Sequence, residues 1–383
     1  MIASLAALTL AFAFSRLQKV SAPRAASTVA QTQTRLAAPK PTSFEQLSHA
    51  ADTARDENRD DEAIQLYRQA LKLRPSWKEG LWYLSTLVYE KDRYPEARDL
   101  LRRFVAIDAE AGPGWAMLGL SEFQTREYSR ALDHLQRAMA LGMGGRKEMA
   151  QSVFYFVAVL STRFEQFNES SGLLIAMVKS GQQPDLLVEP LGLAALRMPL
   201  LPTEIPDDRR DMIRTAGRGA LALEAQRQEE AQRLFSGMVA TYPNEPGVHF
   251  LYGAFLLDVR PEAGVEEMKR ELQISPSHVP ARLRLAEEYV KEDRLNEALR
   301  LAQDAIRIEP GHAPAHMMLG EVLIASGDLP GGVRELETAE KSAPQTVRIH
   351  WDLLRAYAAA GRRDDAQREK EEIEKLNGPS AGQ

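Results

Sequence analysis

The 383-residue chain contains no cysteine. That excludes disulfides, thiolate nucleophiles, iron–sulfur clusters and a lipid-modified N-terminal cysteine, and it leaves the redox compartment open. Any membrane tether is therefore peptide. Aromatic residues make up only 7% of the sequence, so a core has to come mainly from aliphatic and small side chains. No sign of charge dominates: 48 basic residues stand against 54 acidic ones, a formal net charge of −6 without a strong block. A phosphate-tracking surface is not indicated, and nucleic acid is not an expected partner. The spacings of a P-loop, GxSxG, HExxH, CxxC or EF-hand are missing too, so no catalytic residue, cofactor or metal is expected. What remains is 44% hydrophobic and 27% charged, the balance of a soluble, helix-rich chain with enough apolar surface for a core.

Residues 2 to 14, IASLAALTLAFAF, are uncharged and apolar but shorter than the roughly 20 residues a spanning helix needs. They fit the apolar stretch of a secretory signal, with Ala11, Ala13, Ser21, Ala22, Ala25 and Ala26 as small residues for cleavage. Arg16, Lys19 and Arg24 follow the run instead of preceding it. Residues 1–26 are read as a signal peptide or short N-terminal anchor, which predicts an exported, periplasmic or membrane-associated chain, with a cytoplasmic location as the alternative. Residues 27–43 read as a flexible spacer and 379–383 as a disordered tail.

The prolines give the chain its ruler. Pro243, Pro276, Pro310 and Pro344 are 33, 34 and 34 residues apart, and each follows a segment with small or apolar residues at helical spacing. Before Pro310 these are Leu285, Ala286 and Tyr289, then Ala298, Ala302 and Ala305. Before Pro344 they are Leu319, Gly320 and Leu323, then Gly332, Leu336 and Ala339. In the stretch GPGWAMLGLSEFQTREYSRALDHLQRAMALG, Trp115, Leu118 and Gly119 precede Tyr128, Ala131, Leu135 and Ala138. This pattern resembles that of the tetratricopeptide repeat family, in which about 34 residues form two antiparallel helices. The resemblance implies an all-α fold, an α-α superhelix of about eight or nine helical hairpins. Units fall near 44–77, 78–111, 112–145, 212–244, 245–278, 279–312, 313–346 and 347–378, with a degenerate copy near 148–181. Small residues are needed where the two helices of a unit cross closely. Proline closes the second helix because it cannot continue one.

The period fails between 182 and 211, where Pro184, Pro190, Pro199, Pro202 and Pro206 interrupt an apolar background. One short helix, roughly Asp185 to Arg197, and then a turn are expected there. The organisation read from this is an N-terminal array over 44–181, an insert or bend over 182–211, and a C-terminal array with a capping helix over 212–378.

His312 and His316 stand four apart, but Gly311 and Pro314 put His312 in an inter-repeat turn, and no close third ligand completes a zinc set. His249, His316 and His350 lie near the start of first helices, in a packing slot where the family often carries Trp. The GMGGR run at 142–146 is read as a helix end, and Arg209, Arg210, Arg214 and Arg218, interleaved with Asp207, Asp208 and Asp211, as a self-paired solvated face. The resemblance implies that exposed residues on first helices hold a protein or peptide ligand. The candidates are Trp82, Tyr89, Leu120 and Phe123 in the N-terminal array and Met317, Glu321, Trp351 and Arg355 in the C-terminal one; each is a core candidate as well. The family's carboxylate clamp is not matched, since Ser48, Asp52, Leu283 and Glu287 occupy those faces. The reading that follows is a non-enzymatic protein-interaction scaffold in envelope assembly or secretion. Self-association and a membrane tether through the N-terminal segment stay open, and the alternative is an enzyme-associated or catalytic unit with a pocket at 182–211.

Overall fold

The computed structural model describes residues 42–378. The leader at 1–26, the spacer up to residue 41 and the tail at 379–383 lie outside the described residues. The described chain is all-α. Nine helical hairpins follow one another: α1 (Phe44–Asp56) with α2 (Asp60–Leu73), α3 (Lys78–Glu90) with α4 (Tyr94–Ile107), α5 (Gly112–Gln124) with α6 (Tyr128–Leu141), and α7 (Lys147–Arg163) with α8 (Phe167–Lys179). After the single helix α9 (Pro184–Ala195) come α10 (Asp207–Glu224) with α11 (Gln228–Thr241), α12 (Val248–Val259) with α13 (Pro261–Ile274), α14 (Val279–Lys291) with α15 (Leu295–Ile308), α16 (Ala313–Ala325) with α17 (Leu329–Ser342), and α18 (Val347–Ala359) with α19 (Arg363–Asn377). The short helix expected within 182–211 is α9, and a 3-10 turn at Pro202–Glu204 follows it.

The chain forms two compact units, one up to Gly217 and one from Arg218. The first unit therefore runs past residue 181, through α9 and into α10. Two glycines explain this. A Cβ on Gly192 would stand 1.9 Å from the Ile213 carbonyl oxygen, and one on Gly217 would stand 1.9 Å from that of Val188. Only bare backbone lets α9 and α10 approach so closely.

Inside each hairpin the same device recurs at the positions the repeat marks. A Cβ on Gly119 would lie 2.6 Å from Leu135 Cγ, and one on Gly320 would lie 2.8 Å from Leu336 Cγ and 3.0 Å from the Gly332 carbonyl oxygen. Ala131, Leu135, Ala298, Ala302 and Leu336 are fully buried at these crossings. The intra-hairpin turns are equally regular. Asn58, Asp92, Arg126, Glu165, Gln226 and Asp293 take φ between +57 and +63°, with Gly327 and Gly361 in the same place. One such left-handed residue lets the next amide return to the helix, as when Arg93 N–H donates to the Val88 carbonyl at 2.9 Å and Arg294 N–H to that of Tyr289 at 2.8 Å.

The slot six residues beyond each closing proline is polar as well as packed. His249, His316 and His350 are buried, and in each Nε2 donates to the proline carbonyl six residues earlier: Pro243 at 2.9 Å, Pro310 at 2.9 Å and Pro344 at 2.8 Å. The other nitrogen, Nδ1, meets a glutamate of the second helix: Glu267, Glu335 at 2.7 Å and Glu369 at 2.7 Å. In the first unit Trp115 fills the equivalent place, and its indole N–H donates to the Ala109 carbonyl at 2.8 Å. The repeat at 282 breaks the series. Arg282 occupies the slot, Leu301 stands where the glutamate would be, and Arg282 Nε and Nη1 are buried without a hydrogen-bond partner.

Candidate functional site

In the first unit the expected apolar strip is mostly structure. Leu120 is buried, a correction to its place on an exposed strip: the first helix α5 is enclosed by its neighbours on nearly all sides. Phe123 packs its ring 4.6 Å from Phe156, and Tyr89 lies against Tyr94 at 5.1 Å with its hydroxyl pushed up to about 12 by burial. Trp82 is half-buried against Phe104, at 5.4 Å, and lines a cavity of about 370 Å³ with Lys78, Tyr83, Gly114 and Arg146. Lys78 is already paired with Asp108 at 2.5 Å.

The most charged interior of that unit is satisfied from within. Glu122, with no exposed side-chain surface, takes Arg102 at 3.0 Å and His134 at 2.6 Å. His134 in turn lies 5.0 Å from the Trp115 ring, and the Arg137 guanidinium sits 4.2 Å over that ring. In the aperiodic stretch, Glu189 accepts from Arg210 at 3.0 Å and from Arg214 at 2.9 Å. Glu204 accepts from the Leu201 amide at 3.0 Å. Two of the carboxylates in this stretch, Glu189 and Glu204, are thus holding arginines and backbone.

The second unit treats its four candidates differently. Met317 is buried in one cluster with Ile349 and Leu353, again a correction to an exposed strip, because the following hairpin covers it. Trp351, one repeat later, is 48% exposed. Glu321 and Arg355 come together at a cavity of about 300 Å³ between α16 and α18, walled by Ile324, Ala325, Leu336, Ala356 and Ala359. Its floor is Asp352, which sequence reasoning missed. The Asp352 side chain is 4% exposed; Oδ1 accepts from Arg355, and Oδ2 lies 3.9 Å from Arg348 Nε. Glu321 accepts from Arg348 at 2.9 Å. Burial raises the Glu321 carboxyl, the Arg348 charge opposes that, and Asp352 adds to it both by its charge and by a hydrogen bond shared with Glu321. The signal was present in the sequence: Arg348, Asp352 and Arg355, at i, i+4 and i+7, share one helix face.

Among the described residues one group has metal-ligand chemistry, with donor atoms of Glu340, His350 and Glu369 within 4.8 Å of one another. Both His350 nitrogens are engaged, by Glu369 and by the Pro344 carbonyl. A carbonyl and a carboxylate only accept, so the ring satisfies both as an imidazolium. Burial pulls the His350 proton affinity down, but these two acceptors outweigh it and the net direction is upward. The cluster is an ion-paired version of the recurring slot. His312 has a structural task too: its Nδ1 accepts from the Ala315 amide at 3.2 Å and caps α16.

Stacked hairpins closed by buried small residues, with their ionisable groups paired internally, define a helical-repeat scaffold. Residues 50–114 and 289–350 match tetratricopeptide repeat models. The chain is a tetratricopeptide repeat protein, and such repeats build protein-interaction scaffolds. No curated protein matches it. Among solved structures it is similar to MamA residues 41-end from Desulfovibrio magneticus RS-1, with 21% identity over 42% of this chain and 90% of that one, at a TM-score of 0.36. It is also similar to TTC0263, a thermophilic TPR protein of Thermus thermophilus, with 22% identity over 43% of this chain and 90% of that one, at a TM-score of 0.38. Among the described residues no helix is long and apolar enough to cross a membrane.

Proposed function

We propose that the chain is a non-enzymatic scaffold that holds a protein or peptide partner on the first helices of its second unit, at the face shared by α16 and α18. The observation that carries this is the contrast between Met317 and Trp351: the same repeat position is sealed in one hairpin and left 48% exposed in the next, one turn of α18 before Arg355, which rims an open cavity. A large exposed aromatic next to a concave, partly apolar site is the composition of a binding anchor. The apolar leader at 2–14 supports a role outside the cytoplasm, in envelope assembly or secretion, with the partner there too.

Site-specific photocrosslinking tests the assignment. A benzophenone side chain in place of Trp351 should give defined adducts in native extract, while the same group in place of Ile308, exposed on the second helix α15, should give few. Equal labelling at the two sites would remove the reason for choosing this face. Adducts of the chain with itself would redirect the proposal to self-association.

A further inference from the structure

The histidine slot of the second unit recurs three times, and its third copy carries one group more than the others. Ten residues before the slot histidine stand Val239, Ile306 and Glu340. His249 and His316 thus pair with a single carboxylate, that of Glu267 or Glu335, whereas His350 has two within reach: Glu369 on α19 and Glu340 in the last turn of α17. The donor atoms of this third set lie within 4.8 Å of one another, with His350 Nδ1 2.7 Å from Glu369 Oε2.

One imidazolium proton on Nδ1 cannot serve two carboxylates. It goes to Glu369, and among the described residues the Glu340 carboxyl makes no hydrogen bond or ion pair. Burial, then the charge of Glu369, raises that carboxyl, while His350 pulls it the other way. Glu337, one turn earlier on α17, has partners of its own in Arg362 and the Tyr357 hydroxyl. Two carboxylates against one imidazolium leave the cluster a negative charge in excess.

The arrangement is also that of ligands around one ion. Nitrogen and oxygen ligands sit about 2.1 Å from zinc, so tetrahedral neighbours stand roughly 3.4 Å apart, a spacing these three donors bracket. His350 Nε2 donates to the Pro344 carbonyl at 2.8 Å, the outer bond that fixes a ligating imidazole and aims its other nitrogen at a metal. His350 is 2% exposed and the Glu369 side chain 7%, so two donors are already dry and held. Half-buried Glu340 leaves a side open for entry and for water as a fourth ligand. A nitrogen with two carboxylate oxygens suits zinc better than calcium or magnesium, which take oxygen throughout. Around His312 and His316 the sequence offers no close third ligand; here the fold brings one from a third helix.

We propose that Glu340, His350 and Glu369 bind a zinc ion, which replaces the Nδ1 proton and ties α17, α18 and α19 together. A dication against two carboxylates and a neutral imidazole leaves no net charge in the cluster. Because α18 also carries Trp351, the ion fixes the end of the array on which that ring stands.

The test titrates Zn²⁺ into the full chain, stripped of metal with a chelator and exchanged into chelator-free buffer, by calorimetry and by thermal unfolding. One ion per chain should bind and raise the unfolding midpoint, and an excess of Mg²⁺ should not displace it. Glu340→Ile installs the residue that the preceding repeat carries at Ile306, so it should fold without metal as well as the natural chain does. It should bind zinc at least about 100-fold more weakly, since the loss of an outer-sphere partner alone costs about 10–100-fold. Glu335→Gln, in the two-membered slot of His316, should leave zinc affinity unchanged. A natural chain that takes up no zinc, a Glu340→Ile chain that binds it as tightly, or an equal loss in Glu335→Gln overturns the proposal.

Discussion

The two units meet one structural demand with different chemistry. Where a first helix begins, something must hold the preceding turn, and in the first unit Trp115 does so by donating its indole N–H to the Ala109 carbonyl. At the register of the second-helix partner, His134 lies tilted against that ring, so Trp115 is tied to Glu122 only through His134. In the second unit His249, His316 and His350 make the same carbonyl contact and add a direct glutamate. Tryptophan fills the slot with area; histidine fills it with a two-sided polar link. At His350 that link also couples repeat docking to protonation.

Predictions follow from that contrast, starting with what the units should share. Gly119→Leu and Gly320→Leu each place side-chain atoms inside a helix crossing already filled by Leu135 or Leu336, and each should cost about 3 kcal/mol in urea unfolding. A large gap between the two costs would mean that the crossings are not equivalent.

His350→Leu should come next, at about 3 kcal/mol, because it leaves Glu369, 7% exposed, without its partner. The double variant His350→Leu with Glu369→Leu should recover much of the loss, which a purely volumetric role for His350 would not allow. The pair also fixes a sign with pH. His350 is raised in the folded state above its ordinary value of 6.5, so its contribution is fully present below pH about 6.5 and is lost as pH rises through the folded value. Stability of the natural chain should therefore fall across that window relative to the double variant. A parallel pH profile for the two proteins would break the distinction between charged and aromatic slots.

Arg282 offers an effect of opposite sign. Its buried Nε and Nη1 lack partners and its charged form is disfavoured by burial, so Arg282→Met should stabilise by about 1 kcal/mol where His316→Met destabilises. The smallest change expected is Trp351→Ala, under about 1 kcal/mol for a half-exposed ring, against about 2 kcal/mol for the partly packed Trp82→Ala. Thermal unfolding of these two variants ranks them.

Much of the fold was legible because a repeat encodes itself locally. The proline period, the small residues at crossings such as Gly119, Ala298 and Gly320, and the helix at Asp185 each depend on contacts within about one repeat. The histidine slot was half legible. Its recurrence at 316 and 350 could be counted, but its carbonyl and glutamate partners were missed, although Glu267, Glu335 and Glu369 stand 18, 19 and 19 residues downstream of their histidines. Asp352 was not read at all, since its buried pairing depends on where Arg348, Arg355 and Glu321 come to rest across two helices.

By itself the sequence determined the hairpins, their turns and their crossings, because these arise from helix periodicity, proline geometry and side-chain size over short spans. Tertiary structure alone decided which equivalent positions stay wet. Met317 and Trp351 are one period apart, yet the hairpin α18/α19 covers the first, while the second is left 48% exposed. Burial is a property of neighbours, and a periodic pattern assigns every copy the same face without saying which copy has one.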